Sequence, residues 1–301
     1  MADVVKNVIV IGASGSLGAS IFKGLVESNK FTVSVLARPE STHTYAADIK
    51  VFRSDYSEPS LVEAFQGQDA VVCALGAAGL ADEIKVIDAS VKAGVKRFIP
   101  SEYGSNTKNA KATALIPFFA LKTQINAHLE AQEAKGLTWT GIAAGPIFDW
   151  GLNIGVIGFN INTKEALIFD GGDRRFSSSN LSQLGHAVVA VLSNPTTTAN
   201  QYLYIDSFTA SQNEILAELE SATGEKWTVT ESTTEAAVTE GQALFDKGDF
   251  AGLLLLLKAN FLGEGYDSDY TKDAKLSNEF LGLPNQDLAS TVKAIVSGEA
   301  I

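Results

Sequence analysis

Two textures alternate through the first half of the chain. Short apolar runs rich in Val and Ile are separated by stretches whose apolar positions recur every three or four residues. The runs "NVIVIG", "FTVSVLA", "IKVFR", "DAVVCAL", "KRFIP" and "LTWTGIA" read as strands. Helices are predicted over "SLGASIFKGLVESN", near "PSLVEAFQ", in "ADEIKVIDASVKAG" and in the segment "PFFALKTQIN". Strands that are apolar throughout, alternating with amphipathic helices, indicate an α/β fold whose parallel sheet is covered on both faces. Right-handed crossovers make that sheet doubly wound.

After Ala144 the pattern changes. "GPIFDWGLNIGVIGFNI" is rich in glycine and aromatics, and "KEALIFDGGDRRFSSS" reads as two strands of a hairpin around Gly171–Gly172. "NLSQLGHAVVAVLSN" is predicted helical, "QYLYI" is expected to return to the main sheet, and the chain from Ser207 onward reads as mainly helical. The expected organisation is a first domain at 1–154, rejoined by 179–206. A smaller, discontinuous α+β substrate lobe at 155–178 and 207–301 would cover the carboxyl edge of the sheet.

Composition narrows the function classes. Of 301 residues, 46% are hydrophobic and only 7 are proline, enough apolar mass for a large core. A formal net charge of −12 with no run of Lys or Arg argues against nucleic acid, and it means any anionic ligand must be held by local basic groups or helix N-termini. The single cysteine, Cys73, sits in an apolar run and reads as a buried thiol. His43, His128 and His186 are widely spaced, so no metal site is expected. The N-terminal stretch lacks the features of a secretory leader and no apolar run is long enough to span a bilayer, so the chain reads as soluble and cytoplasmic, monomeric or homodimeric.

"VIVIGASGSLG" follows the first strand and opens the first helix, with Gly12, Gly15 and Gly18 in GxxGxxG spacing. Glycines there allow a tight turn, close approach to a pyrophosphate and close helix–sheet packing, while the helix N-terminus offers unpaired N–H groups to the anion. Together with Ser14, Ser16 and Leu17 this predicts a dinucleotide site on a Rossmann-type domain. The second strand ends in Arg38, where an NAD-selective site carries an acid. A guanidinium suits a 2′-phosphate, with Ser41 and Thr42 as neutral donors, and so NADP(H) is the expected cofactor. Asp55 and Tyr56 are expected beside adenine. Leu75, Gly76, Ser101, Gly145 and Pro146 follow later strands and are expected along the cofactor.

Lys122 falls on the helical face that carries Phe118, Phe119, Ile125 and Leu129. A charge among apolar neighbours costs free energy unless it has a task or its head snorkels to water. Short-chain dehydrogenases place a proton-donating Tyr four residues before such a lysine; here that residue is Phe118.

In "VIGASGSLG", "LARPEST", "AGVKRFIPSEYG", "FFALKTQINAHLE" and "AGPIFDWGL", taken in order, the chain resembles the atypical short-chain reductases of the isoflavone reductase and phenylcoumaran benzylic ether reductase type, grouped with NmrA-like proteins. The resemblance is dense over the first half and loose beyond it. It implies NADPH as hydride donor and Lys122 as the catalytic residue. Lowering a lysine from about 10.4 to about 7 takes roughly 4.6 kcal/mol. Burial can supply this, but a nearby phosphate opposes it, so holding the nicotinamide ribose is the favoured role and proton transfer a possible addition.

Tyr103 is a candidate for the missing hydroxyl, and Glu102 reads better as a structural acceptor. Phe148, Trp150, Phe159 and Phe176 are expected either to wall a pocket for a planar substrate or to pack the lobe junction. His128 lies off the Lys122 face and reads as structural, and His186, in the helix after "SSSN", is no better a candidate catalyst. The function expected is NADPH-dependent reduction of a small aromatic or conjugated molecule (an alkene, imine, carbonyl or benzylic ether). The alternative is a non-catalytic NADP(H)-binding regulator.

Overall fold

Strand β1 (Asn7–Ile11) shows why the first half folds as it does: Val8 and Val10 enter one apolar core while Ile9 and Ile11 enter another on the opposite face. A strand buried on both sides has no polar positions to spare, which explains the unbroken run of Val and Ile. The computed structural model describes residues 4–299. Met1–Asp3, which begin both the stretch read as lacking a leader and the first expected domain, lie outside the described residues, as do 300–301 at the end of the expected lobe.

After β1 come α1 (Ser16–Glu27), β2 (Thr32–Ala37), β3 (Lys50–Arg53), α2 (Glu58–Phe65), β4 (Ala70–Cys73), α3 (Glu83–Ala93) and β5 (Arg97–Ile99). They are followed by α4 (Ala110–Leu115), α5 (Phe119–Gln132), β6 (Thr138–Ala143) and α6 (Phe148–Ile154). Then come β7 (Phe159–Asn160), β8 (Glu165–Phe169), β9 (Arg175–Ser178), α7 (Leu181–Ser193) and β10 (Gln201–Tyr204). The main sheet has seven parallel strands in the order β10-β6-β5-β4-β1-β2-β3, a doubly wound arrangement with β4 and its buried Cys73 at the centre. Helices α1 and α7 cover one face, α2, α3 and α5 the other. β10 pairs with β6 from Gln201 opposite Thr140 to Tyr204 opposite Ala143, so the chain re-enters the sheet as predicted.

Next come β11 (Phe208–Ser211), α8 (Gln212–Thr223), β12 (Thr228–Ser232), α9 (Thr234–Phe245), α10 (Phe250–Leu262), α11 (Tyr270–Asp273), α12 (Asn278–Leu281) and α13 (Leu288–Ser297). Of these β11, α8, α9, α10 and α13 build a second core with α6, β7, β8 and β9, while β12 is mostly exposed. Here one expectation is corrected. β8 and β9 are strands, but not partners: β8 pairs with β7 and in parallel with β12, while β9 pairs antiparallel with β11. The turn between them closes with a Gly172 N–H bond to the Phe169 carbonyl at 2.9 Å. Asp170, Gly171 and Gly172 all have positive φ, and Asn213 of α8 binds the carbonyls of Gly171 and Gly172. A third left-handed residue tied to a helix turns the chain out of the plane a hairpin needs. Among the described residues, no helix is long and apolar enough to cross a membrane.

Candidate active site

The glycine loop is closed by sterics that leave no room for side chains. Gly12 has φ +82°, and a Cβ there would lie 2.3 Å from the Ala74 carbonyl oxygen; one on Gly18 would lie 2.0 Å from the Gly12 oxygen. No side chain caps α1, which starts after Gly15, so its first-turn N–H groups face outward as an anion seat. Beside it lies a cavity of about 380 Å³, lined by Gly12 to Gly15, Arg38, Ser41, Tyr45, Tyr56 and Leu75, among others. This cradle fits a dinucleotide phosphate, with Arg38 at one side.

Two residues of this cavity region were not singled out by sequence. Tyr45 lines the cavity beside Ser14. Arg53, at the end of β3, donates from Nη1 to the carbonyls of Arg38 at 2.9 Å and Ser41 at 2.7 Å, fixing the turn that carries Arg38. Thr42 does not line the cavity. Asp55 does not either: its carboxylate accepts from Ser57 N–H and Ser60 Oγ, both at 2.9 Å, and these bonds hold its pKa down to about 2. It is committed to the start of α2 because an Asp two residues before a Ser makes this local turn cheaply.

A second cavity, of about 350 Å³, shares Gly15, Ala74, Leu75 and Gly76 with the first and runs between the sheet edge and the lobe. Ser16, Leu17, Ser101, Tyr103, Lys122, Gly145 and Pro146 line it, and Phe118, Phe119, Trp150, Leu257 and Phe261 give it apolar walls. Helix α5 places Lys122 there because its Ile125 and Leu129 pack on the sheet, while Phe119 packs against Leu253 and Leu256 of α10. The lysine is buried. Its Nζ donates to the Glu102 carbonyl and lies 6.0 and 5.8 Å from the ring centres of Phe118 and Phe119. Burial pushes its pKa down, and the carboxylates of Glu102 and Glu83 oppose that fall.

The loop after β5 is fastened from every side. Glu102 accepts from Asn126 at 2.6 Å, Thr107 at 3.1 Å and Tyr202 at 3.3 Å, which is the acceptor role. Ser101 Oγ accepts from Leu75 N–H at 2.9 Å, and the Ser101 N–H donates to Glu83 Oε1 at 2.8 Å. Tyr103 is buried with φ +33°, a strained value for a residue with a side chain, and its hydroxyl has no partner among the described residues.

Of the aromatics expected at a pocket, only Trp150 reaches one. Phe148, Phe159 and Phe176 are fully buried in the lobe core and do not line the cavity, so for these three the junction-packing alternative describes their position. Phe148 stacks edge-on with Phe208, and Phe159 with Trp227. His128 bridges to Asp88 of α3 at 2.8 Å, and His186 lies on α7, outside the cavity. No group of three metal-ligating side chains occurs among the described residues.

Comparison with known proteins agrees with this geometry. Residues 5–148 match the NmrA-like family. The chain is 35% identical over 295 residues to oxidoreductase aprR of Aspergillus flavus, covering 97% of this chain and 99% of the relative. It is 26% identical to phenylcoumaran benzylic ether reductase IRL1 of Ginkgo biloba, covering 73% and 76%. In fold it is similar to AtPrR2 solved with NADP+ and (+)pinoresinol, with a TM-score of 0.79 at 19% identity over 98% of this chain and 100% of that one. A crystal structure of isoflavone reductase gives a TM-score of 0.77 at 19% identity, covering 96% and 98%. The chain belongs to the NmrA-like family, on its isoflavone reductase-like branch.

Proposed function

We propose that this protein is an NADPH-dependent reductase acting on a small aromatic or conjugated molecule. The observation that carries the reading is the continuity of the two cavities: the glycine loop and Arg38 open onto the space walled by Phe118, Trp150 and Phe261 and floored by Lys122. NADP(H) is the cofactor. Its phosphates suit the uncapped start of α1, and a 2′-phosphate suits Arg38. When bound, the reduced nicotinamide supplies a hydride. Named relatives support the class, being an oxidoreductase and a benzylic ether reductase.

The chain's own residues bind and orient. Lys122 spends one of three N–H directions on the Glu102 carbonyl and keeps two for the cofactor ribose and the substrate. The aromatic walls exclude water and favour a flat, uncharged acceptor. Phe118 has no proton to give, so any proton delivered to product passes through Lys122 or through water it holds. Turnover of NADPH against a panel of enones, quinones, imines and benzylic ethers tests the reading. Lys122→Ala is expected to lower kcat/KM by about 100-fold or more, within the range of a positioned acid–base group. Unchanged turnover removes Lys122 from the mechanism.

Phe118 also favours a second reading, a regulator that binds NADP(H) without chemistry. Tight NADPH binding with no oxidation across the panel, together with a partner protein that co-purifies and is released by NADP(H), selects it.

A further inference from the structure

The parallel pairing of β2 with β3 ends with Ala37 opposite Arg53, and the Ser54 N–H donates to the Ala37 carbonyl at 3.0 Å. That register sets Arg53 beside the turn Arg38–Pro39–Glu40–Ser41, which closes with the Ser41 N–H on the Arg38 carbonyl at 3.1 Å. Proline at the second position fixes one dihedral of such a turn. Arg53 holds both its ends: Nη1 donates to the Arg38 carbonyl at 2.9 Å and to the Ser41 carbonyl at 2.7 Å. Of the residues lining the first cavity, only Arg38 and Glu40 are charged, and their charges cancel. Arg53, attached to the turn that carries them, adds a positive charge. Neither guanidinium bridges to a carboxylate among the described residues. On a chain of net charge −12, two arginines at one turn without an acidic partner suit an anionic ligand.

We propose that Arg53 is a positioning residue for cofactor choice: it holds the Arg38–Ser41 turn in the shape that brings Arg38 to a 2′-phosphate, and it makes that end of the cavity positive. The inference rests on the reading above, in which Arg38 meets the 2′-phosphate of NADP(H). Arg53 reaches Arg38 through the backbone, so its effect passes through the shape of the turn. NADH carries a neutral hydroxyl where NADPH carries the phosphate. Loss of Arg53 therefore changes the preference between the two cofactors more than it changes dinucleotide binding in general.

Dissociation constants for NADPH and NADH, measured by nicotinamide fluorescence on wild type, Arg53→Leu, Arg38→Leu and the double variant, test this. Arg53→Leu is expected to weaken NADPH by about tenfold or more and NADH little. In the Arg38→Leu background the same change is expected to cost NADPH clearly less, because the group to be positioned has gone. Arg53→Lys, which keeps the charge and can still donate to the turn, is expected to retain most of the preference. Unchanged NADPH binding in Arg53→Leu, equal losses for both cofactors, or the same loss with and without Arg38 overturns the proposal. Should Arg53→Leu not fold, Arg53→Gln, uncharged but able to donate to one carbonyl, is read by the same criteria. A preference for NADPH that is lost in Arg38→Leu and kept in Arg53→Leu overturns the role of Arg53 and leaves that of Arg38 standing. A preference untouched by Arg38→Leu defeats both.

Discussion

Single atoms decide the phosphate loop. With a Cβ on Gly18 placed 2.0 Å from the Gly12 oxygen, Gly18→Ala must displace the loop, and calorimetry is expected to show no saturable NADPH binding. Arg38→Asp is expected to weaken NADPH by roughly 10- to 100-fold, the value of a charge-assisted bond or two, and NADH much less. Equal losses for both cofactors would refute its pairing with a 2′-phosphate. Glu83 makes a further prediction about pH. Its folded pKa, about 7, lies above its ordinary value of 4.5, so between those limits the folded state binds more protons than the unfolded one and stability falls as pH rises. The melting temperature of Glu83→Gln relative to wild type should therefore climb from pH 4.5 to 7, by the equivalent of about 3 kcal/mol at most. The glycines and Lys122 were legible in sequence because their spacing and setting are local. Glu83 was not, since an acid opening a helix looks the same whether it faces water or turns inward to a buried loop N–H.

Between elements, the site depends on how helices are fastened. Both carboxylate oxygens of Asp149, in α6, accept from Leu181 N–H at 3.1 Å, so α6 caps α7 across the lobe junction. Burial raises this carboxyl's pKa and the N–H groups counter it. Asp149→Ala is expected to cost about 1–2 kcal/mol in denaturant unfolding, as lost caps do, and to loosen Trp150 beside the cavity. Helix α7 in turn meets α1 through glycines, a Cβ on Gly24 lying 3.1 Å from Gly185 Cα. The strands of the first half could be read because a run buried on both faces leaves an unmistakable pattern. The supposed hairpin at β8 and β9 could not, because the signal of two short strands around Gly-Gly carries no record of β12, whose residues lie about sixty positions later. For Phe148, Phe159 and Phe176 the difficulty is similar: an aromatic residue carries the same apolar signal whether it walls a cavity or fills a core.

For the whole molecule, a net charge of −12 works against an anionic cofactor, so affinity must come from local contacts, for which the start of α1 and Arg38 are the ones proposed above. Binding should register as stability. At about 100 times its dissociation constant, NADPH stabilises by about 2.7 kcal/mol, so thermal scans are expected to show a clear rise in melting temperature with NADPH and a smaller one with equal NADH. The main sheet itself is finished late. Its outermost strand beyond β6 is β10, reached only after the chain has crossed into the lobe and returned. On the ribosome, then, the nascent nucleotide-binding half must wait with the β6 backbone unzipped until Tyr204 has emerged. A gene truncated before that codon would yield a chain with a raw sheet edge, prone to stick to its neighbours.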